Sequence, residues 1–515
     1  LGATLSIHIR MGGIQSVIQT GTGGVLVETE CHLSNGLPSI IIVGLGAKAI
    51  DESKERVRSA FASIGVDMPR KRITINLAPA DMPKDSTSLD LPIALAIMQA
   101  GGSTSQSLRG DTAAIGELGL DGAVRPVRGI IGKLVAGKRL GIHTFIIPEA
   151  NAPQALLVPD VTIIPISSLK RLHAHLNGED PIAPQKSGDG QPPARSAKGK
   201  RADVGLDDVV GQHQAKRALE IAAGGGHNIF MVGAPGTGKS MLAKLLPNLL
   251  PPLDRSEMLE VTHLHSLVRA DYEGLVSDRP FRAPHHSASN IAIVGGGNTV
   301  RPGEITLSHH GILFLDELPE FNRSTIESLR QPLEDGAITI ARAKDAITYP
   351  ADFLLVATAN PCPCGYFGSQ QDCQCSVTEI AHYRRKTSGP ILDRIDLYVT
   401  MEQVDHSKLL EQTQRADADT GVCKRVRAAR SIQAERQGST LNARLTNHQA
   451  KRFANITNEA QTILNKAASV LNLSARSYMR TLKVARTIAD LEGSTSVDSP
   501  HITEALRYRN QDFIH

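Results

Sequence analysis

The chain has 515 residues, room for roughly three domains at about 150 residues each. Its formal net charge is only +4 and aromatics make up 3% of it, with no tryptophan, which argues against a base-stacking platform for single strands. Six cysteines in so long a chain are not a secreted disulfide scaffold. No basic stretch leading into an apolar one opens the sequence as a secretory signal would, and no apolar run reaches the roughly 18 residues that cross a bilayer. A cytoplasmic bacterial protein with no membrane partner is expected.

Residues 1–177 read as a mixed α/β domain. The partial alternation of Val25-Leu26-Val27-Glu28-Thr29-Glu30-Cys31-His32-Leu33 predicts a half-buried strand, and Asn35-Gly36 predicts a turn after it. Ile40 to Val43 predicts a short buried strand. From Lys48 to Ile64 helical spacing puts Val57, Ala60, Phe61 and Ile64 on one stripe. Ile73 to Leu77 predicts a strand, Leu89 to Met98 a mostly apolar helix, Gly132 to Leu140 another helix, and Thr144 to Ile147 another strand. Over 178–203 the composition turns to Gly, Pro, Ser, Gln and basic residues, as in Gln191-Pro192-Pro193-Ala194-Arg195. That predicts a flexible basic tether, with nucleic-acid contact as the other reading of its charge.

A P-loop α/β module is expected over 204–400. Gly233-Ala234-Pro235-Gly236-Thr237-Gly238-Lys239-Ser240 fits G-x-x-x-x-G-K-[ST] between an apolar run, Asn228 to Val232, and an apolar helix pattern, Met241 to Leu246. Glycines let several backbone N–H groups point at one phosphate chain, and the helix N-terminus adds partial positive charge. Lys239 is expected to reach the β/γ-phosphates of ATP, and Ser240 to hold Mg²⁺. Downstream, Gly311-Ile312-Leu313-Phe314-Leu315-Asp316-Glu317 is the kind of run that is buried on both faces. Its two carboxylates fall at the strand's C-terminal end, where open α/β sheets place ligands. Asp316 is expected on Mg²⁺, directly or through water, and Glu317 is expected to polarise the attacking water. Phe353 to Asn360 predicts a further buried strand ending in a polar amide, Asn360, which would orient that water.

Ile338 to Arg342 and Ala346 to Tyr349 predict a hairpin with Ala343-Lys344-Asp345 at its tip. Arg342 and Lys344 there are either phosphate contacts or a solvated face. His285, His286, His309 and His310 supply no known zinc spacing. Cys362, Cys364, Cys373 and Cys375 match a four-thiolate zinc site in ligand number, in a C-x-C spacing tighter than the usual pair separated by two residues. Reduced buried thiols and a redox pair are the other two readings. Beyond about 401 the chain reads helical. Lys424, Arg425, Arg427, Arg430 and Arg436 make one basic helix, either a solvated face or a nucleic-acid contact. Ser474 is a good N-cap for a last long helix. Arg476, Arg480 and Lys483 share one face of it, and Tyr478, Leu482, Ala485 and Ala489 another.

These runs resemble the Mg-chelatase-like ATPases known as YifB or ComM over nearly the whole chain. The likeness is strongest in Pro280-Phe281-Arg282-Ala283-Pro284-His285-His286. Leu206 to Gln212 resembles the entry segment of AAA+ modules, and Ser388 to Asp396 the segment bearing their arginine finger. In the first half, Val43-Gly44-Leu45, Glu52 to Arg58, Asn76 to Asp81, Asp90 to Ala94, Gly116-Glu117-Leu118 and Arg125 to Gly129 carry it. The resemblance implies an α/β fold in three parts: a Lon-protease-like N-terminal domain, a P-loop AAA+ module of the helix-2-insert clade, and a C-terminal helical lid over 401–515. It implies that Asn360 is the first sensor and that Arg476, with Arg480 as runner-up, is the second. Arg394 is implied as the finger that binds γ-phosphate charge in a neighbouring subunit; an ion pair with Asp393 or Asp396 is its alternative. A finger acting across subunits makes activity depend on assembly, expected as a hexamer. The family carries the same cysteine cluster.

For the substrate, the resemblance implies DNA, single-stranded or branched, with helicase or branch-migration activity in natural transformation and recombination. One alternative is a metal-insertion ATPase like the magnesium chelatase motor. Another is an ATP-fuelled peptidase or protein remodeller, because Ser88 and Lys133 fall on the serine and lysine of the Lon-like dyad. Lys84-Asp85 precedes Ser88 as in those proteases, but Leu89-Asp90 replaces their Ala-Gly. A neutral lysine activates a serine only if burial lowers its pKa. Asp90, if close, would keep Lys133 charged, and Thr87 with Asp90 also reads as a helix-capping pair.

Overall fold

A computed structural model describes residues 13–20, 23–44, 47–79, 87–106, 108–186, 205–268, 276–297, 300–341, 346–387, 389–403 and 418–509. Lys84-Asp85, the hairpin cations Arg342 and Lys344, Ser388 and residues 187–203 of the expected tether lie outside this set. The chain divides into two compact units. One comprises Leu1–Ser196 with Asp254–Val276, and the other Ala197–Leu253 with Ser277–His515. Residues 254–276, inside the stretch expected as a single module, therefore count with the first unit.

The first unit is built on an eight-stranded mixed sheet. Its order is Gln185–Lys186, Thr162–Ile166, Thr144–Pro148, Thr112–Ala114, Ile14–Thr20, Gly23–Ser34, Arg72–Ala78 and Ser39–Val43. Ser39–Val43 is an edge strand with a single neighbour, so it buries Ile40 and Ile42 but leaves Val43 exposed, which corrects the expectation of a fully buried strand. At the other edge Gln185–Lys186 pairs with Thr162–Ile166, so the expected tether begins as sheet. The helix Asp90–Gly101 is apolar on all sides, and Asp90 to Met98 are buried throughout. It ends at Gly102, whose left-handed φ of 72° lets its N–H reach back to the last turn. The helix Ile130–Arg139 buries Ile130, Ile131, Lys133, Leu134 and Ala136. It starts two residues before the predicted Gly132, because Gly129 turns the chain in at φ 65°.

The second unit holds a five-stranded sheet in the order Phe281–Arg282, Ile312–Leu315, Leu354–Ala359, Ile229–Gly233 and Leu397–Met401, all pairs parallel. The strand Leu354–Ala359 is buried at every residue. It lies between the strand that leads to the glycine loop and the strand that leads to Asp316-Glu317, so three predicted motifs leave the sheet side by side. Two hairpins stand apart from the sheet, Gly295–Gly296 with Arg301–Pro302 and Ala337–Ala341 with Ala346–Pro350.

The helices Ala418–Gln437, Asn447–Ala454, Asn458–Val470, Ala475–Leu491 and Ser499–Arg507 follow. The basic helix corrects an expectation. Arg425 pairs with Glu220 at 2.6 Å, Arg430 donates to the Ala223 carbonyl at 2.9 Å, and Arg436 grips Asp490 at 2.6 and 2.8 Å. These cations tie helices together, and Lys424 and Arg427 are left exposed. No helix among the described residues is long and apolar enough to cross a membrane.

Candidate functional site

The strand Ile229–Gly233 delivers the chain into a loop that turns twice through left-handed glycines, Gly236 at φ 80° and Gly238 at φ 91°, before the helix Lys239–Leu249 begins. A side chain at either position would be strained. Thr237 Oγ1 closes the loop on the Ala234 carbonyl at 2.9 Å, and Gln212 of the entry segment donates to the Thr237 carbonyl at 3.4 Å. The Lys239 ammonium donates to the Gly233 and Ala234 carbonyls at 2.5 and 3.0 Å and to Asn360 Oδ1 at 3.2 Å. Burial pushes the Lys239 pKa down, and Asp316 and Glu317 push it back up.

The Ser240 hydroxyl donates to Asp316 Oδ2 at 3.0 Å. Asp316 Oδ1 accepts from Thr358 Oγ1 at 2.5 Å, and the same Thr358 oxygen accepts the Glu317 N–H at 3.0 Å. Asn360 Nδ2 faces Glu317 Oε1 at 3.5 Å. A serine hydroxyl and a carboxylate in contact, both hard oxygen donors, fit Mg²⁺; Ser240 and Asp316 would hold it. The structure thus brings Lys239, Ser240, Asp316, Glu317 and Asn360 into one network. Sequence reasoning missed Thr358. Its signal was a hydroxyl inside the otherwise apolar run Leu354-Leu355-Val356-Ala357-Thr358-Ala359, fully buried.

Arg394 lies elsewhere. It precedes the strand Leu397–Met401, in which Leu397 is paired with Ile229 and Met401 with Gly233, and its carbonyl accepts from Asn228 Nδ2 at 3.1 Å. It is therefore at the end of the strands opposite the glycine loop, beside Asn228, five residues and about 16 Å from Gly233 at about 3.3 Å per residue. Its buried guanidinium is ion-paired with Glu334, and Arg476 binds the same carboxylate at 3.0 Å. The hydrogen bond from Arg394 holds the Glu334 carboxyl below the usual range. The alternative of an Arg394 pair with Asp396 is not what forms: Asp396 takes Arg480 and the Asn228 N–H instead. Arg476, expected to report lid position to the nucleotide, shares Glu334 with Arg394.

The four clustered cysteines converge. Cys362 Sγ lies 3.3 Å from Cys364 Sγ and 3.6 Å from Cys373 Sγ, and Cys364 Sγ lies 3.6 Å from Cys373 Sγ. All four sulfurs fall within 4.8 Å of one another.

In the first unit Lys133 Nζ donates to Ser88 Oγ at 2.7 Å, with both residues buried. Burial lowers the Lys133 pKa to about 8. The condition under which Asp90 would keep Lys133 charged is not met. Asp90 is held by Arg56 at 2.6 and 3.2 Å, Ser53 at 2.7 Å and the Leu118 N–H at 3.3 Å. Nor do Thr87 and Asp90 cap the helix: its N-cap is Leu89, without a side-chain bond. Ser88 sits instead in a 3-10 turn, Thr87–Leu89, fastened by the Gly116 N–H to the Ser88 carbonyl at 3.0 Å.

Comparison with known proteins matches residues 205–409 to magnesium chelatase, subunit ChlI; 29–151 to subunit ChlI of Mg-chelatase; and 417–509 to the C-terminal part of magnesium chelatase subunit ChlI. The chain is 41% identical over 493 residues to the protein YifB of Salmonella typhimurium, covering 96% of each. It is also 41% identical over 497 residues to competence protein ComM of Haemophilus influenzae, covering 96% of this chain and 97% of that one. A shorter likeness, 32% over 146 residues, joins 27% of the chain to 18% of Lon protease from Mycolicibacterium smegmatis. With glycine loop, paired carboxylates and near full-length kinship in agreement, the chain belongs to the YifB/ComM family of Mg-chelatase-like AAA+ ATPases.

Proposed function

We propose that the chain hydrolyses ATP as a ring motor, assembled as a hexamer, and acts on single-stranded or branched DNA. The observation that carries hydrolysis is the contact between the loop lysine and the sensor amide, with Glu317 beside them. The glycine loop and Lys239 take the β/γ-phosphates, while Ser240 and Asp316 hold Mg²⁺, which neutralises phosphate charge when bound. Glu317 polarises the water and Asn360 orients it. Arg394 is too far from its own glycine loop to serve it, so it serves a neighbour's, and Arg476 stands on that same neighbour-facing edge. The Gly295–Gly296 and Ala337–Ala341 hairpins are the helix-2-insert elements, and the helices after 418 are the lid. A relative named as a competence protein supports a part in competence, and the family resemblance supports helicase or branch-migration work on DNA.

The test is ATP turnover by the full chain with and without single-stranded and branched DNA over a salt series. Turnover is expected to rise with DNA and to lose that gain steeply as salt increases, through counterion release. Glu317→Gln is expected to keep ATP binding while turnover falls about 10²–10⁴-fold. Arg394→Ala subunits are expected to regain activity when mixed with Glu317→Gln subunits, which still offer an arginine. Turnover blind to DNA sinks the substrate, and full turnover by Arg394→Ala alone sinks the ring. A second reading, an ATP-fuelled peptidase, is favoured by the Ser88–Lys133 bond.

A further inference from the structure

We propose that Glu334 stands in for the phosphate of a neighbouring copy's nucleotide. In the single chain its carboxylate holds Arg394 and Arg476, and ring closure exchanges it for that phosphate. The proposal rests on the ring reading above and names the regulation of that same shared site.

The carboxylate divides its oxygens between two cations. Oε2 takes Nη2 of Arg394, and Oε1 takes Nη2 of Arg476 at 3.0 Å. Two guanidiniums converging on one anionic group is how arginines take a phosphate, because each planar fork presents its N–H donors to a set of oxygens. The Arg394 side chain is covered in this pose, at 8% exposed, while Glu334 is 51% exposed and Arg476 43%. A finger so placed reaches a neighbour's γ-phosphate only after letting go of Glu334.

The surroundings make that release a matter of side chains alone. The Arg394 backbone is fixed at its carbonyl, which accepts from Asn228 Nδ2 at 3.1 Å and from Arg480 Nη1 at 3.1 Å. Glu334 lies in the last turn of the helix Arg330–Asp335. Arg444 pins that turn by donating to the Leu333 carbonyl at 2.9 Å. The strength of the contact also suits exchange. Asp396, two residues beyond Arg394, is 3% exposed, so water screens its hold on Arg480 little. Glu334 is half in water, which weakens its attraction for both cations. A terminal phosphate brings more negative charge and more acceptor oxygens than one carboxylate, and takes the arginines once a neighbour delivers it.

A latch of this kind lowers the fraction of chains competent to assemble, so weakening it lowers the concentration that assembly needs. The experiment measures ATP turnover per full-length chain at saturating ATP. Chain concentration runs from where single copies sediment to where assemblies do. Glu334→Gln keeps the shape and sheds the charge. It is expected to reach half its plateau at about 10-fold lower chain concentration than native, with the plateau kept within about 3-fold. Glu334→Ala, which leaves no acceptor, is expected to move the same way. Asp335→Asn removes the next charge on the same exposed turn and is expected to leave the midpoint in place, which separates the latch from general repulsion between copies. A Glu334→Gln midpoint equal to the native one overturns the latch, whether its plateau is kept or lowered. So does an equal shift in Asp335→Asn. In these cases, turnover lost in Arg394→Ala leaves the ring reading standing. Single copies as fast as assemblies, or full turnover by Arg394→Ala, overturn the ring reading and the latch with it.

Discussion

Two lysines, Lys133 buried in the first unit and Lys239 half-buried in the second, are treated in opposite ways. Lys133 is desolvated and meets a neutral serine; the nearby acid, Asp90, is committed to Arg56 and Ser53. Nothing offsets the burial penalty, and its pKa falls to about 8. Lys239 is also desolvated, but Asp316 and Glu317 oppose the effect, and its ammonium rests on two carbonyls and an amide oxygen. The first environment suits an amine that gives up its proton; the second suits a permanent cation waiting for phosphate. The presence or absence of carboxylates near enough to oppose desolvation separates the two environments.

The sharpest break of this contrast is Lys239→Met. If the cation is the anchor, nucleotide binding weakens and turnover falls at least about 10²–10³-fold, read by steady-state ATPase and fluorescent-nucleotide titration. A variant that binds and hydrolyses normally would erase the distinction. Next is Thr358→Val, which keeps shape but removes the hydroxyl that holds the Asp316 carboxylate and the Glu317 backbone N–H. Losing a buried hydrogen bond costs about 1–3 kcal/mol. The Mg²⁺ concentration for half-maximal rate is therefore expected to rise and kcat to fall about 10-fold.

Smallest in activity, and aimed at the other lysine, is Lys133→Met. Between pH 8 and 10.5 the unfolded chain holds this proton and the folded chain does not. The fold therefore gains stability as pH rises through that window, by up to the order of 3 kcal/mol at about 1.4 kcal/mol per pKa unit. The variant is expected to lose that gain and keep its ATP turnover, as seen in melting temperature against pH.

The residues legible in the sequence were those whose chemistry is local. The glycine loop, Asp316-Glu317 and Asn360 each declare themselves within a few positions, and the sheet order then sets them side by side. What stayed hidden depends on partners far away in sequence. Asp90 reads as a cap or a counter-ion until Arg56 claims it, 34 positions away. Arg425, Arg430 and Arg436 read as a solvated face or a nucleic-acid contact until Glu220, Ala223 and Asp490 take them. Gln185–Lys186 reads as tether because two exposed residues become a strand only by pairing with a formed edge.

Asp396 shows how far such distant partnership reaches. Burial disfavours its charge, yet Arg480, His227 and Arg509 prevail and hold the acid ionised. It also accepts the Asn228 N–H at 3.1 Å. A chain that lost this acid alone would leave the half-buried Arg480 cation without its carboxylate, with only the Arg394 carbonyl, among the described residues, still accepting from it. The two positions, 84 apart, are thus bound as one unit, and a neutral side chain at 396 would leave Arg480, His227 and Arg509 without their shared acid.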